Sequence, residues 1–79
     1  MARYFLNLHE CGNVVTDDEG IERSSLAEVH QGAFAAAREI MCAELAHGRL
    51  CLSCHIEVQD EAGAVVMTVP FKDAVTITG

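Results

Sequence analysis

One long amphipathic stretch, Ser25 to Gly48, constrains the fold of this chain more than any other feature. Its apolar side chains recur at steps of three and four residues, which is the period of one face of an α-helix. They are Leu26, Val29, Ala33, Ala37, Ile40, Met41 and Leu45, with Phe34 beside them. This stripe is wider than a coiled-coil seam, so we expect the helix to cover a β-sheet.

Both ends of the helix are marked in the sequence. Ser25 and Glu28 form a capping box, in which the serine oxygen accepts the Glu28 amide and the glutamate reaches back to the serine amide. At the other end Gly48 tolerates a positive φ. His47 and Arg49 beside it place cations where they suit the helix dipole.

The segment before the helix alternates like a β-strand. Residues 3 to 9 place apolar side chains on one face, and Val14 and Val15 lead back after a short turn. Residues 3 to 16 are therefore predicted to form a hairpin. Asp17 to Ser24 is interpreted as an acidic connection into the helix.

The segment after the helix predicts a second hairpin. Residues 50 to 59 alternate as a half-buried strand, residues 60 to 63 form a turn, and residues 64 to 69 return. Pro70 cannot donate to a ladder, so it is expected to end that strand or to lie at a sheet edge. Residues 74 to 78 could add a short further strand.

These elements predict a single domain over residues 1 to 79 with the order ββαββ. The fold class is α+β, with one long helix packed on one face of an antiparallel sheet in two layers. The chain is small, and domains of this size bury only about 60 to 65% of their unfolded surface. Self-association is one usual supplement to so small a core.

Composition excludes several classes of partner. The formal net charge is −7 with only five Lys and Arg, so the sequence offers no basic patch for nucleic acid or for a membrane surface. No apolar stretch reaches the length of a membrane-spanning helix, and the N-terminus reads as a strand rather than as a signal peptide. We expect a cytoplasmic protein whose cysteines are thiols.

Two surfaces are candidates for a homodimer interface. One helix can cover only one face of the sheet, which leaves Phe5 and Val66 on the opposite face. The back of the helix carries Gly32, Ala36 and Ala43, whose small side chains permit close approach of a second helix. A homodimer is the predicted state, and an unidentified protein partner is a further possibility.

The residues Cys51 to His55 spell Cys-x-x-Cys-His, the pattern of covalent haem attachment. Haem attachment requires export to an oxidising compartment, and haem requires a larger apolar pocket than this chain can enclose. Met67 could be imagined as an axial ligand, but a methionine facing a core is the ordinary case. We therefore predict no cofactor.

Metal and redox chemistry are the alternative uses of Cys51, Cys54 and His55. Zinc would need four ligands, which could be completed from His47, His9 or Cys11. If the motif is extended, however, the Cα atoms of its two cysteines lie about 10 Å apart and the side chains face opposite ways. On this interpretation Cys54 is a small core residue, while Cys51 and His55 lie on an exposed strand face.

Several short motifs together resemble a known family. They are Arg3-Tyr4-Phe5-x-x-Leu8 with Leu6, Asp18-Glu19-Gly20-Ile21-Glu22, Ala37-Arg38-Glu39-Ile40-Met41, Ile56-Glu57-Val58, and Val69-Pro70-Phe71 followed by Asp73-Ala74-Val75. This pattern is similar to a bacterial family of small alphaproteobacterial proteins classed as a domain of unknown function. The resemblance implies the ββαββ domain and carries over no catalytic or ligand residue.

The sequence assigns no reaction to this chain, because no Ser, His and Asp constellation or phosphate-binding loop can be assembled from its spacing. The favoured hypothesis is a small, acidic, non-enzymatic domain that acts through self-association and protein contacts. The alternative is a metal-binding or redox-sensing module that uses Cys51, Cys54 and His55.

Overall fold

The computed structural model describes residues 2–10 and 12–78. Its elements in chain order are β1 (Ala2–Glu10), β2 (Asn13–Val15), β3 (Ile21–Arg23), α1 (Leu26–Leu45), β4 (His55–Gln59), β5 (Val65–Pro70) and a 3-10 helix (Phe71–Asp73). All strand pairs are antiparallel, and α1 packs on one face of the sheet. The predicted α+β class with one long helix is confirmed.

The sheet is built around β1, the longest strand. Its spatial order is β2-β1-β4-β5, and β3 pairs with the other half of β1. Both predicted hairpins are present, and the return strand of the second ends at Pro70 on the edge of the sheet, as its missing N–H requires.

The first edge of the sheet is one strand interrupted by the loop of residues 16–20. On either side of that loop, β2 pairs with residues 8–10 and β3 with residues 2–4 of β1. The interpretation of residues 17–24 as an acidic connection into the helix therefore missed β3. A strand of three residues is too short for alternation to reveal it.

Asp17 fills the gap that this interruption leaves beside β1. Its carboxylate accepts hydrogen bonds from the backbone N–H groups of Leu6, Glu19 and Gly20, at 3.1, 3.2 and 3.0 Å. Gly20 has a φ of +73°, and a Cβ atom there would lie 2.8 Å from the Tyr4 carbonyl oxygen. The loop thus depends on one aspartate and one glycine.

The predicted helix limits are correct to within a few residues. Ser25 is the N-cap and accepts the Glu28 amide at 3.3 Å, but the Glu28 carboxylate reaches the backbone and hydroxyl of Ser24 rather than the Ser25 amide. These hydrogen bonds from the Ser24 hydroxyl and amide hold the pKa of Glu28 below its ordinary value. At the other end Gly48 has a φ of +76°, as predicted.

The hydrophobic core lies between α1 and the facing side of β4 and β5. It comprises Val29, Ala33, Ala37, Met41, Cys54, Ile56, Val58, Val69, Phe71 and Ala74. The prediction that Leu26 and Leu45 belong to the buried stripe was wrong, because 46% and 56% of their surfaces are exposed. These two leucines stand at the first and last positions of α1 (Leu26–Leu45), beyond the buried positions Val29 to Met41.

Two strand predictions in the second half of the chain were wrong. Residues 50–54 do not extend β4 but bend before it, and residues 74–78 do not form a strand. Instead the 3-10 helix after Pro70 turns Phe71 into the core, where its backbone N–H donates to the Cys54 carbonyl at 2.9 Å. Arg38 of α1 donates to the Ala74 carbonyl at 2.7 Å and ties this segment to the helix.

Candidate functional site

The face of the sheet opposite α1 carries polar side chains at the junction of β1 and β4. We call this side the open face. The register pairs His9 with His55 and Asn7 with Glu57 across the two strands. Because side chains alternate along a strand, these four share one face, while Ile56 and Val58 between them point into the core.

His9, His55 and Glu57 form a compact cluster of metal-ligating groups on the open face. The two imidazole rings stack with centroids 4.5 Å apart and an interplanar angle of 9°. The Nε2 atom of His9 lies 3.8 Å from Oε2 of Glu57. One ligand atom from each of the three side chains lies within 4.8 Å of the others.

The donor set has a clear chemical preference. Two imidazoles and one carboxylate are the protein ligands of many zinc sites with an open position and of the facial triad that binds non-haem iron. Ligand atoms on a tetrahedral zinc ion lie about 3.3 Å apart, and each imidazole binds through a lone pair in its ring plane, so the two stacked rings must rotate out of their parallel arrangement to close on one ion. The cluster can therefore supply three ligands and leave further positions to water.

The backbone beneath this cluster is well supported. Asn7 is 6% exposed, and its side-chain amide donates to the Gln59 side chain at 2.9 Å. Its carbonyl oxygen accepts the Asp17 amide at 2.9 Å, which links the cluster's strands to the loop at the sheet edge. A site on paired central strands is held more rigidly than one on a loop.

The structure separates the cysteines from the histidine with which the sequence grouped them. Cys54 is 2% exposed and belongs to the core on the helix side, whereas His55 lies on the open face. The prediction that Cys54 is a small core residue is confirmed. Cys51 is half-buried against the core rather than on an exposed strand face, so that prediction was wrong.

The two thiols of the motif meet on the helix side of the sheet. The bend before β4 brings the sulfur of Cys51 to 2.8 Å from that of Cys54, and to 3.2 Å from the Ser53 hydroxyl. The expectation that the two side chains face opposite ways was wrong, because it rested on an extended conformation. Cys11, another ligand considered from the sequence, lies outside the described residues.

A cavity of about 380 Å³ borders this pair of thiols. Its walls include Glu10 from β1, Glu44 from the last turn of α1, and Arg49. A hydrogen bond to Glu44, with partial burial and the neighbouring negative charge, raises the pKa of Glu10, and Arg49 offsets part of this shift. Glu10 therefore takes up a proton at a higher pH than an isolated glutamate does.

The other residues considered from the sequence lie on the helical layer. His30 is exposed and packs its ring 4.3 Å from that of Phe34, and Cys42 is exposed. His47 follows the end of α1 beside Arg49, at the wall of a second cavity. Neither histidine of this layer belongs to the cluster on the open face.

The five interface candidates differ in accessibility. Phe5 is half-buried under the loop that contains Gly20, and Val66 is 37% exposed at the irregular register of β5. On α1, Gly32 is half-buried and Ala43 is exposed, whereas Ala36 packs against the core, so its predicted place on the back of the helix was wrong. Their role as an interface stays a prediction.

The sequence pattern groups His9 and His55 only with the cysteines, and it does not mark Glu57 as a metal ligand. The signal that could have found the cluster is the shared parity of these residues on their two strands. Parity alone leaves the register open, however. The three residues come together only once Phe5–His9 is paired with His55–Gln59.

The fold and the cluster define a small two-layer α+β domain with an imidazole and carboxylate site on its open sheet face. The chain belongs to the family described as Domain of unknown function (DUF6894), whose model matches residues 3–72. Comparison with curated proteins and with solved structures gives no match. Among residues 2–10 and 12–78, no helix has the length and apolar character needed to cross a membrane.

Proposed function

We propose that this domain binds a divalent transition-metal ion on its open face through His9, His55 and Glu57. The observation that carries the proposal is the convergence of two imidazoles and a carboxylate within 4.8 Å on neighbouring strands. Imidazole ligands favour zinc, iron, nickel and copper over calcium and magnesium. The role is binding, and we assign no reaction to the site.

The burial of the cluster supports this role. Side-chain exposures of 29% for His9 and 28% for Glu57 leave the ligand atoms accessible to an incoming ion while the backbone stays within the sheet. The same arrangement could stabilise the sheet without a metal ion, since a protonated His9 would form an ion pair with Glu57. The experiment must therefore measure metal binding itself.

The test is a zinc titration of reduced protein by isothermal titration calorimetry. The wild type is expected to bind one zinc ion, and His9→Ala, His55→Ala and Glu57→Gln should each weaken binding at least about 100-fold, since loss of a mere outer-shell partner costs 10- to 100-fold. His30→Ala and His47→Ala are the matched controls and should leave the affinity unchanged. The affinity for zinc should also fall as the pH is lowered, because a protonated imidazole cannot bind a metal ion.

Two results would contradict the proposal. One is a wild-type protein that binds no zinc, cobalt or nickel at the stoichiometry of one ion per chain. The other is zinc binding that survives His55→Ala but is lost in Cys51→Ser and Cys54→Ala, because that would assign the ion to the thiols.

A second candidate function is self-association, and exposed valines at the sheet edges favour it. Val65 is 52% exposed and Val66 37% exposed on β5, which forms one edge of the sheet, and Val14 at the other edge is 56% exposed. An exposed strand edge with apolar side chains is a template for pairing with another chain. We propose that the functional form is a cytoplasmic homodimer whose subunits associate through these exposed valines at the sheet edges.

For this second candidate, light scattering coupled to size exclusion is the direct measurement. The wild type is expected to elute as a dimer, and Val66→Asp should raise the dimer dissociation constant at least about tenfold, because a charge in an apolar interface is costly. Ile77→Asp, at a position that is 68% exposed in the C-terminal segment, is the matched control. A wild-type monomer would exclude the homodimer, and a dimer sensitive only to Ala43→Glu would place its interface on α1.

A further inference from the structure

Cys51 and Cys54 are brought together by a feature that the metal proposal does not use. The bend of residues 50–54 connects the end of α1 to β4 and places the two sulfur atoms 2.8 Å apart. Two thiols at that separation need to move by less than about 1 Å to reach the S–S bond length of about 2.05 Å. The two sulfur atoms are therefore within reach of each other for a disulfide.

We propose that Cys51 and Cys54 form a reversible redox site, which closes to an intramolecular disulfide in exchange with a low-molecular-weight disulfide such as oxidised glutathione. The proposal is independent of the metal site, since the thiols lie on the helix side of the sheet. It assigns this thiol pair a role as a site of oxidation.

The surroundings of the two sulfur atoms differ in the way that a stepwise exchange needs. Cys51 is half-buried and borders the cavity of about 380 Å³, so a small disulfide can approach its sulfur. Cys54 also touches the cavity but is 2% exposed, which shields it from direct attack.

The exchange balances without any further reagent. The Cys51 thiol loses its proton to solvent, and its thiolate attacks one sulfur of oxidised glutathione and expels one glutathione thiolate. The Cys54 thiol then loses its proton to solvent, and its thiolate attacks the Cys51 sulfur of the mixed disulfide and expels the second glutathione thiolate; the two expelled thiolates take up the two protons. Two protein thiols are oxidised to one disulfide, and one glutathione disulfide is reduced to two glutathione thiols.

The test is equilibration of the full chain in glutathione redox buffers, followed by alkylation of remaining thiols and peptide mapping by mass spectrometry. The wild type, Cys42→Ser and Cys11→Ser are each expected to form a Cys51–Cys54 disulfide, and in the wild type and Cys11→Ser it should form in a buffer in which Cys42 is still alkylated. Two further variants, Cys54→Ser and Cys54→Ala, remove the second thiol. Cys54→Ala is included because Cys54→Ser would bury a hydroxyl in the core. In both, Cys51 should remain as a stable mixed disulfide with glutathione.

Three results would overturn the proposal. Cys51 and Cys54 could be alkylated independently across the whole range of buffers. The disulfide could instead join one of them to Cys11 or to Cys42 as the dominant product. Finally, Cys54→Ala, shown by circular dichroism to be folded, could lose its mixed disulfide as fast as exposed Cys42 does, which would mean that the two sulfurs do not act as a pair.

Discussion

Replacing Phe71 by alanine is expected to lower the free energy of unfolding by about 3 to 5 kcal/mol, the usual cost of removing a fully buried aromatic ring. Phe71 is the largest of the fully buried side chains, and its ring belongs to the cluster formed by α1, β4 and β5. A domain of this length has a total stability of roughly 4 to 12 kcal/mol. The substitution therefore removes about a quarter or more of the free energy of unfolding.

Urea denaturation followed by circular dichroism measures this effect. Phe71→Leu keeps most of the buried volume and should cost about 1.5 kcal/mol or less. Lys72→Ala, an exposed neighbour in the same 3-10 helix, is the matched surface control and should stay within about 0.5 kcal/mol. If Phe71→Ala costs no more than the control, Phe71 does not lie between the two layers.

The second large effect is expected at Asp17. Asp17→Ala removes the acceptor for three backbone N–H groups in the gap between β2 and β3, and hydrogen bonds to a charged group contribute about 1.5 to 3 kcal/mol each at most. In a half-exposed loop, water can form part of the hydrogen bonds that the carboxylate would leave unmade. The free energy of unfolding is therefore expected to fall by about 2 to 3 kcal/mol. Asp18→Ala, at the exposed neighbouring position, should stay within about 0.5 kcal/mol.

The contribution of Asp17 should depend on pH in a definite direction. Partial burial raises the pKa of Asp17, but the hydrogen bonds from Gly20, Leu6 and Glu19, together with the Arg3 guanidinium, outweigh it and hold the pKa below the unperturbed value of 3.8. The unfolded chain then takes up this proton at a higher pH than the folded chain does. The stabilisation is complete above about pH 4 and is lost as pH falls through the folded-state pKa.

Urea denaturation at pH 7 and at pH 3 compares the wild type with Asp17→Asn. The difference in stability between the two proteins should be largest at pH 7 and smaller at pH 3. A difference that grows on acidification would mean that the carboxylate is not stabilised by its backbone partners.

The sequence was sufficient for features that depend on local chemistry. The capping serine, the glycine with positive φ after the helix, and the turn before β5 each follow from residues close together in the chain. The α+β class follows from one wide apolar stripe flanked by alternating segments. These features need no knowledge of which strands are neighbours.

Features that depend on tertiary contacts were not predictable in the same way. The alternation of residues 50–54 is an accident of sequence, because the chain must bend there to carry α1 back onto the sheet. The local pattern does not assign Phe71 to the core, and only the turn after Pro70 directs it there. In both places tertiary packing overrides the local pattern.

The candidate site was hidden by the same limitation. His9 and His55 are separated in sequence by the whole helix, and their meeting depends on the register between β1 and β4. A shift of one residue would send His55 to the core face and dissolve the cluster. By contrast, the Cys-x-x-Cys-His motif groups three residues that are close in sequence but lie on two sides of the sheet. Cys51 and Cys54 lie on the helix side, and His55 lies on the open face.

The most direct test of the central claim is a zinc titration of 15N-labelled protein followed through the histidine ring nitrogens by NMR. The metal proposal predicts that His9 and His55 shift together and saturate at one zinc ion per chain, while His30 and His47 stay unchanged. Rings of His9 and His55 that do not respond, or a response of all four histidines without saturation, would contradict the assignment of a metal site to the open face.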